Sequence, residues 1–135
     1  MEKVYLSGYL EGMMNLSSSL SKNIGPSYIK VHCYEKKKFK EDFCKYYKIK
    51  ENELKLIETD KSLESTLLDW LQDKKMVESI IYWFNIELRD EKKVYLSEEL
   101  IYQLDDKRKD FYILEDLFFV ECKKYIFVFM LGNNE

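Results

Sequence analysis

The single histidine, His32, is the first residue whose type could support catalysis. A cysteine nucleophile needs a base within hydrogen-bond reach. Cys44 is the more plausible partner, because Cys33 would point to the opposite face of the same predicted strand. No third residue can be named that would orient the histidine. Inert thiols beside a core or edge histidine are the simpler interpretation of these three residues.

The cysteines also bear on metal and disulfide chemistry. Cys33, Cys44 and Cys122 are an odd number with no Cys-x-x-Cys spacing, which argues against a disulfide framework and against a zinc site. None of the four glycines has the spacing of a phosphate-binding loop, so nucleotide-dependent catalysis has no support. We expect no metal and no cofactor, and we favour a non-enzymatic function. An enzyme of unfamiliar type is a third hypothesis.

One acidic pair stands apart from the other carboxylates. Glu115 and Asp116 interrupt the apolar C-terminal region, where an acidic side chain is costly unless it reaches solvent or a partner. A bulge or turn at this point explains the pair better than a catalytic pair of the glycosidase type. The other neighbouring carboxylates are typical of solvated surface.

The charge is distributed unevenly along the chain. Residues 1–50 carry a balance of +5, whereas residues 51–135 carry −8. The basic part interleaves lysines with aromatic residues, a mixture that phosphate contacts and base stacking would use. It contains no arginine, and a solvated lysine face is the simpler alternative. The alternative function is therefore RNA or DNA binding by a small accessory protein that uses the segment Lys36 to Lys50. Its predicted binding residues are Lys36, Lys37, Lys38, Lys40, Tyr46 and Tyr47.

The acidic part predicts the leading function. Its carboxylates gather in or near predicted loops, where a basic protein could dock and be steered electrostatically. Tyrosines among them could serve as anchors of an interface. We expect a protein-binding domain, in its most specific form an immunity-type inhibitor that occludes a basic toxin or nuclease; solvated surface is the simpler alternative. The predicted binding residues are Asp90, Glu91, Tyr95, Glu98, Glu99, Tyr102, Asp105, Asp106 and Tyr112.

Composition bounds the elements that must position these residues. A chain of 135 residues, 46% hydrophobic and 16% aromatic, predicts a single globular domain over residues 1–135. The longest strictly apolar run, Tyr125 to Leu131, is too short to cross a bilayer, which takes roughly 20 residues. No block typical of a secretory signal is present near the N-terminus. We therefore expect a cytoplasmic protein with no membrane association.

In the N-terminal half, apolar residues from Leu6 to Leu20 recur at helical spacing, although a strand over Lys3 to Leu10 is an alternative. The clearest break is at Gly25-Pro26. The pattern then predicts a strand at 28–34, a short helix at 38–48 and a short strand at 54–56.

In the middle of the chain, Ser62 is a predicted helix cap, with Leu63, Leu67, Leu68 and Leu71 as the apolar stripe. From Ser79 to Arg89 apolar residues occupy every second position. This alternation predicts a strand with 94–96 as its hairpin partner. A helical continuation from Ser62 to Phe84 is the rival interpretation. Ser97-Glu98-Glu99 resembles another helix start.

The C-terminal region predicts the centre of the fold. Phe111 to Glu121 and Tyr125 to Leu131 are two apolar segments joined by a short polar step, as in an antiparallel hairpin. The second segment has no polar position, so both of its faces need cover. The helices at 62–72 and 3–20 are the expected cover. The predicted fold is α+β, with an antiparallel sheet around a central C-terminal hairpin and two to four helices.

Overall fold

The C-terminal hairpin lies inside a five-stranded antiparallel sheet. A computed structural model describes residues 3–20, 28–89, 91–97, 99–101, 104 and 112–134. The strand order is β1-β5-β4-β3-β2, which places β4 at the centre with β5 beside it and confirms the predicted fold class. The strands are β1 (Tyr28–Glu35), β2 (Ile57–Glu58), β3 (Lys93–Leu96), β4 (Tyr112–Glu121) and β5 (Tyr125–Asn134), and the helices are α1 (Lys3–Leu20), α2 (Phe39–Tyr47), α3 (Leu63–Leu71) and α4 (Lys74–Glu87).

Both faces of the hairpin are buried. Phe118 on β4 and Phe129 on β5 stack at 4.7 Å between ring centroids on one face. On the other face, Phe119 packs edge-on against Phe39 of α2. Side chains of a strand alternate between faces, so an unbroken apolar run supplies both cores at once. The prediction that Tyr125 to Leu131 is covered on both sides is confirmed, because its last six residues are buried and Tyr125 is half-buried.

The expected helices α1 and α3 cover one face of the hairpin, and other helical residues cover the second face. α1, α3 and α4 all pack on the Phe118 face. The Phe119 face is covered by α2 and by the helical residues that follow β3, 99–101 and 104. The expectation that 3–20 and 62–72 together supply both covers was therefore wrong. Leu100 and Leu104 are fully buried there, so the short helix predicted at Ser97-Glu98-Glu99 does contribute to the core.

The predicted strand from Ser79 to Arg89 is a helix. α4 begins after Asp73, whose side chain accepts a hydrogen bond from the Met76 backbone at 3.1 Å. Its buried residues are Val77, Ile80 and Phe84, which follow helical spacing. The alternating pattern arose because two further apolar residues, Tyr82 and Ile86, lie on the exposed side. The rival prediction of a helix is correct for this segment, but residues 72–73 divide the expected continuous helix into α3 and α4.

This correction changes the partner of β3. Instead of forming a hairpin with 79–89, β3 pairs with β4 on one side and β2 on the other.

The short strand predicted at 54–56 was also wrong. Leu54 is instead buried among the residues of the α2 face, and the strand begins at Ile57. The predictions for β1, α2 and α3 are confirmed, including the Ser62 cap, which accepts from the Ser65 backbone at 3.1 Å. For 3–20 the helix is confirmed over the strand alternative.

Side chains of α1 bond to the outer edge of β1 at two of its residues. Glu11 accepts a hydrogen bond from the Val31 backbone N–H at 3.0 Å, and the Asn15 amide donates to the Ile29 carbonyl at 3.0 Å. Both backbone groups face away from β5. An exposed edge of this kind would otherwise offer a pairing site to other strands.

The acidic pair lies at a break in the ladder, as predicted. The β4–β5 register shifts between Leu114 and Asp116, which is the signature of a β-bulge. Asp116 accepts a hydrogen bond from the Trp70 indole at 2.6 Å and from the Leu117 backbone at 2.8 Å.

Within the described segments, no helix is both long and apolar enough to span a membrane.

Candidate functional site

A groove of about 540 Å³ runs beside β2, the edge strand opposite β1. Two segments distant in sequence form it. The first contributes Lys55, Ile57, Glu58, Thr59 and Asp60 around β2, and the second contributes Leu96, Ser97 and Glu99 at the end of β3. Its apolar part is contributed by Leu96, which is half-buried, and by Ile57, whose exposed fraction is 71%. An aliphatic side chain this exposed on an edge strand is unusual and would gain roughly 1.5–3 kcal/mol if a partner buried it.

The backbone of β2 presents pairing groups to its free edge. Thr59 donates its backbone N–H to the Val94 carbonyl at 2.8 Å, and Ile57 lies opposite Leu96. In an antiparallel ladder the residues that bond to the neighbouring strand alternate with residues whose N–H and C=O point the other way. Glu58 lies between Ile57 and Thr59, so its backbone groups point to the free edge. The edge can accept one more strand there.

The charge of the groove is predominantly negative. Glu58, Asp60 and Glu99 are exposed carboxylates, and Lys55 is the cation that lines the groove with them. Ile57 shares a face of the sheet with Leu96, while Glu58 shares the opposite face with Tyr95. A strand added at this edge would therefore have apolar neighbours on one face and acidic neighbours on the other.

Tyr95 connects the groove to the middle of the sheet. Its hydroxyl donates to the Glu121 carboxylate at 3.5 Å, and its register partner on β2 is Glu58. Desolvation raises the pKa of the Tyr95 phenol, and the negative charges of Glu121 and Glu58 raise it further. The phenol therefore stays protonated and keeps its role as a hydrogen-bond donor.

The structure describes four of the predicted binding residues: Glu91, Tyr95, Glu99 and Tyr112. Glu91 precedes β3 and Glu99 follows it, so the two carboxylates lie toward opposite ends of that strand. Tyr112 is the first residue of β4. The structure brings Glu99 and Tyr95 close to the groove, with Glu99 lining it. Asp90, Glu98, Tyr102, Asp105 and Asp106 lie outside the described residues.

The predicted lysine segment is divided between two short helices. Lys36, Lys37 and Lys38 form a 3-10 turn directly after β1, and Lys40 lies in the first turn of α2. The two tyrosines differ. Tyr46 is 71% exposed, whereas Tyr47 is half-buried and its hydroxyl contacts the Met130 sulfur at 3.3 Å. Only Tyr46 of this pair offers an open ring face.

The thiol of Cys44 differs from an activated nucleophile. Cys44 is buried, and desolvation raises the pKa of its thiol, whereas a reactive cysteine needs a lowered pKa. His32 lies in β1 opposite Val128. In the part of the chain that the structure describes, no group of three or more histidine, cysteine, aspartate or glutamate residues could hold a metal ion.

Two features escaped the sequence interpretation. The first is the β2 edge itself, because a strand of only two residues, Ile57 and Glu58, leaves no alternating pattern in the sequence. The second is an aromatic patch on α4, where Tyr82 and Trp83 pack edge to face and Tyr9 of α1 packs against the same indole. Helical spacing would have revealed this patch if residues 74–87 had been predicted as a helix.

Comparison of the chain with protein-family models, curated proteins and solved structures finds no match.

Proposed function

We propose that this chain is a non-enzymatic protein-binding domain that captures a basic segment of another protein by strand addition at β2. The observation that carries the proposal is the coincidence of three properties at one edge: outward-facing backbone groups at Glu58, an exposed Ile57, and a surplus of carboxylates in the groove. In strand addition, main-chain hydrogen bonds supply affinity and alternate side chains supply specificity.

The chemistry of the groove specifies the partner. A strand beside β2 places alternate residues next to Ile57 and the others next to Glu58. The preferred segment therefore alternates β-branched apolar residues with lysine or arginine. Carboxylates around the groove would also speed the encounter with a basic protein, an effect that falls with added salt.

A peptide experiment tests this proposal directly. The probe is a fluorescein-labelled ten-residue peptide of alternating valine and lysine, and its binding is measured by fluorescence anisotropy. A second peptide of the same sequence carries N-methyl groups on the backbone amides of one edge. We expect the first peptide to bind and the second to bind at least about tenfold more weakly, because it cannot complete the ladder.

Matched variants locate the site. Glu58→Lys reverses one charge in the groove and should weaken peptide binding about tenfold. Glu78→Lys makes the same charge change at an exposed position on α4 and should leave binding within about twofold. Equal binding of the methylated peptide, or equal effects of the two variants, would show that the peptide is held by general electrostatics and not by the β2 edge.

The most specific form of the proposal is an immunity-type inhibitor that masks a basic toxin or nuclease by occlusion. The test is co-expression with a toxin encoded beside this chain, scored by growth. Wild type and Glu78→Lys should restore growth, and Glu58→Lys should not. Toxicity that is unchanged by wild type would reject the inhibitor role while leaving peptide capture to be judged by the anisotropy experiment.

A further inference from the structure

Lysines from three parts of the chain meet at one end of the sheet. The 3-10 turn 36–38 follows β1, Lys93 begins β3, and Lys123 and Lys124 join β4 to β5. The Lys36 backbone N–H donates to the Lys124 carbonyl at 2.8 Å, and Lys93 lies opposite Glu121 at the end of β4. The sheet thus assembles a basic surface that is scattered in sequence. We call it the lysine end, and its members are Lys36, Lys37, Lys38, Lys93, Lys123 and Lys124.

The lysine end is basic because its cations outnumber its acids. All six lysines are exposed, and the acidic residues described beside them are Glu35, Glu91 and Glu121. Glu121 forms an ion pair with Lys36 at 3.5 Å, so one acid and one cation of this surface already compensate each other. A depression of about 310 Å³ is lined by Lys36, Lys93 and Lys123 together with Glu91 and Glu121.

The lysine end extends across four strands of the sheet. The order β1-β5-β4-β3 separates the backbones of Lys36 and Lys93 by three strand spacings, or about 14 Å at roughly 4.8 Å each, although the Lys36 ammonium reaches inward to the Glu121 carboxylate. Along one strand of B-form DNA, phosphates recur about every 3.4 Å of axis. A row of this length therefore spans several phosphates, and a single free phosphate would touch only part of it.

An exposed aromatic ring lies farther along α2. This helix starts directly after Lys38 and carries Tyr46 seven residues beyond Phe39, or roughly 10 Å away along the helix axis, where its ring packs edge to face with that of Tyr47. Exposed aromatic rings beside cationic grooves stack on unpaired bases regardless of base identity. Lysine is a flexible point charge without the fork of arginine, which suits contacts to phosphates without sequence readout.

We infer that the lysine end binds the backbone of single-stranded nucleic acid, with Tyr46 stacking on a base. This surface lies at the start of β3, whereas the groove at β2 lies around its end. The inference is independent of peptide capture. It also differs from the segment 36–50 of the sequence interpretation, because Lys93, Lys123 and Lys124 enter from elsewhere in the chain.

The experiment measures binding of a fluorescein-labelled twenty-nucleotide oligothymidylate to the full chain over a range of salt concentrations. The double variant Lys93→Gln/Lys124→Gln should weaken binding about tenfold at low salt. It should also reduce the slope of log K against log salt by roughly 1.4, since each phosphate contact on a single strand contributes about 0.7. Tyr46→Ala should weaken binding several-fold with an unchanged slope.

The matched control is Lys74→Gln/Lys75→Gln, which removes the same charge from exposed positions at the start of α4. It should leave the slope unchanged. Equal slopes for the two double variants would overturn the inference, since the attraction would then follow net charge alone. So would failure of wild type to bind the oligonucleotide, including the case in which it binds only vesicles containing phosphatidylserine. Circular dichroism of each variant confirms that the fold is retained.

Discussion

The indole N–H of Trp70 on α3 donates a 2.6 Å hydrogen bond to the carboxylate of Asp116 at the bulge of β4. This contact joins helix and sheet where the ladder is broken. Hydrogen bonds to charged groups contribute about 1.5–3 kcal/mol. We therefore expect Asp116→Ala to lower the free energy of unfolding by about that amount, measured by urea denaturation.

The control for that prediction is Asp69→Ala, which removes a carboxylate that pairs with Lys61 at 2.7 Å on the exposed surface. Exposed pairs contribute about 0–1 kcal/mol, so this variant should lower the free energy of unfolding by no more than that.

A double-mutant cycle tests the contact itself. Trp70→Phe should lower the free energy of unfolding less in the Asp116→Ala background than in wild type, because the hydrogen bond is already absent. Additive effects would show that the two side chains act independently.

The two faces of the hairpin predict a symmetric response to truncation. Phe118 and Phe119 are fully buried on opposite faces of β4. Phe118→Ala and Phe119→Ala should each lower the free energy of unfolding by about 3–5 kcal/mol. Tyr82→Ala, on the exposed side of α4, should change it by less than about 0.5 kcal/mol. A small effect at only one of the two phenylalanines would mean that its face lacks cover.

Tyr34 predicts a loss of stability at high pH. Burial raises the pKa of its phenol to about 12, assisted by Tyr46 and Asp42, whereas an unfolded chain releases the proton near 10. The contribution of Tyr34 is therefore complete below pH 10 and is lost as the pH rises toward 12. Tyr34→Phe should reduce the loss of stability over that window and should remove one tyrosinate step near pH 12 at 295 nm.

The control for the tyrosine titration is Tyr82→Phe, which removes a phenol that is 61% exposed. This variant should keep the step near pH 12 and the fall in stability of wild type. Persistence of that step in Tyr34→Phe would assign it to another residue.

The three thiols should differ in reactivity. Cys33 is half-buried, whereas Cys44 and Cys122 are buried, and burial also raises the pKa of the Cys44 thiol. Because the thiolate is the reactive form, we expect dithionitrobenzoate to modify one thiol in the folded protein and all three after unfolding. Cys33→Ser should abolish the fast phase, while Cys122→Ser should preserve it. A fast phase that requires Cys44 would contradict its burial.

The C-terminal half of the fold was predictable because its residues leave few alternatives. A run without polar positions, Tyr125 to Leu131, requires cover on both faces whatever surrounds it. Glu115 and Asp116 interrupt an apolar strand, and a bulge relieves that conflict locally. Both inferences depend only on residues adjacent in sequence. The free-energy cost of exposing apolar side chains or of burying carboxylates is enough to exclude the alternatives.

α4 was mispredicted for an equally physical reason. Its buried residues Val77, Ile80 and Phe84 satisfy helical spacing, but the exposed Tyr82 and Ile86 complete an alternating pattern that also fits a strand. Hydropathy does not tell an exposed aromatic or aliphatic residue from a buried one. The N-cap Asp73 was the local signal that favoured the helix.

The groove at β2 could not be predicted because it depends on strand pairing. Ile57 and Glu58 meet Leu96 and Tyr95 across nearly forty positions of sequence. Nothing in a two-residue strand indicates which edge of a sheet it will occupy. Charge alone predicted an acidic surface among residues 90–112, whereas strand register is what brings Glu58 beside Tyr95.

The cover that Glu11 and Asn15 provide over β1 has a consequence for stoichiometry. A sheet that accepts a strand at one edge and has a second free edge can pair with a further chain there, so that the assembly grows without limit. Here side chains of α1 occupy the second edge at Ile29 and Val31, so we expect no further strand to add there. Capture at β2 should therefore give a closed one-to-one complex whose size does not increase with concentration.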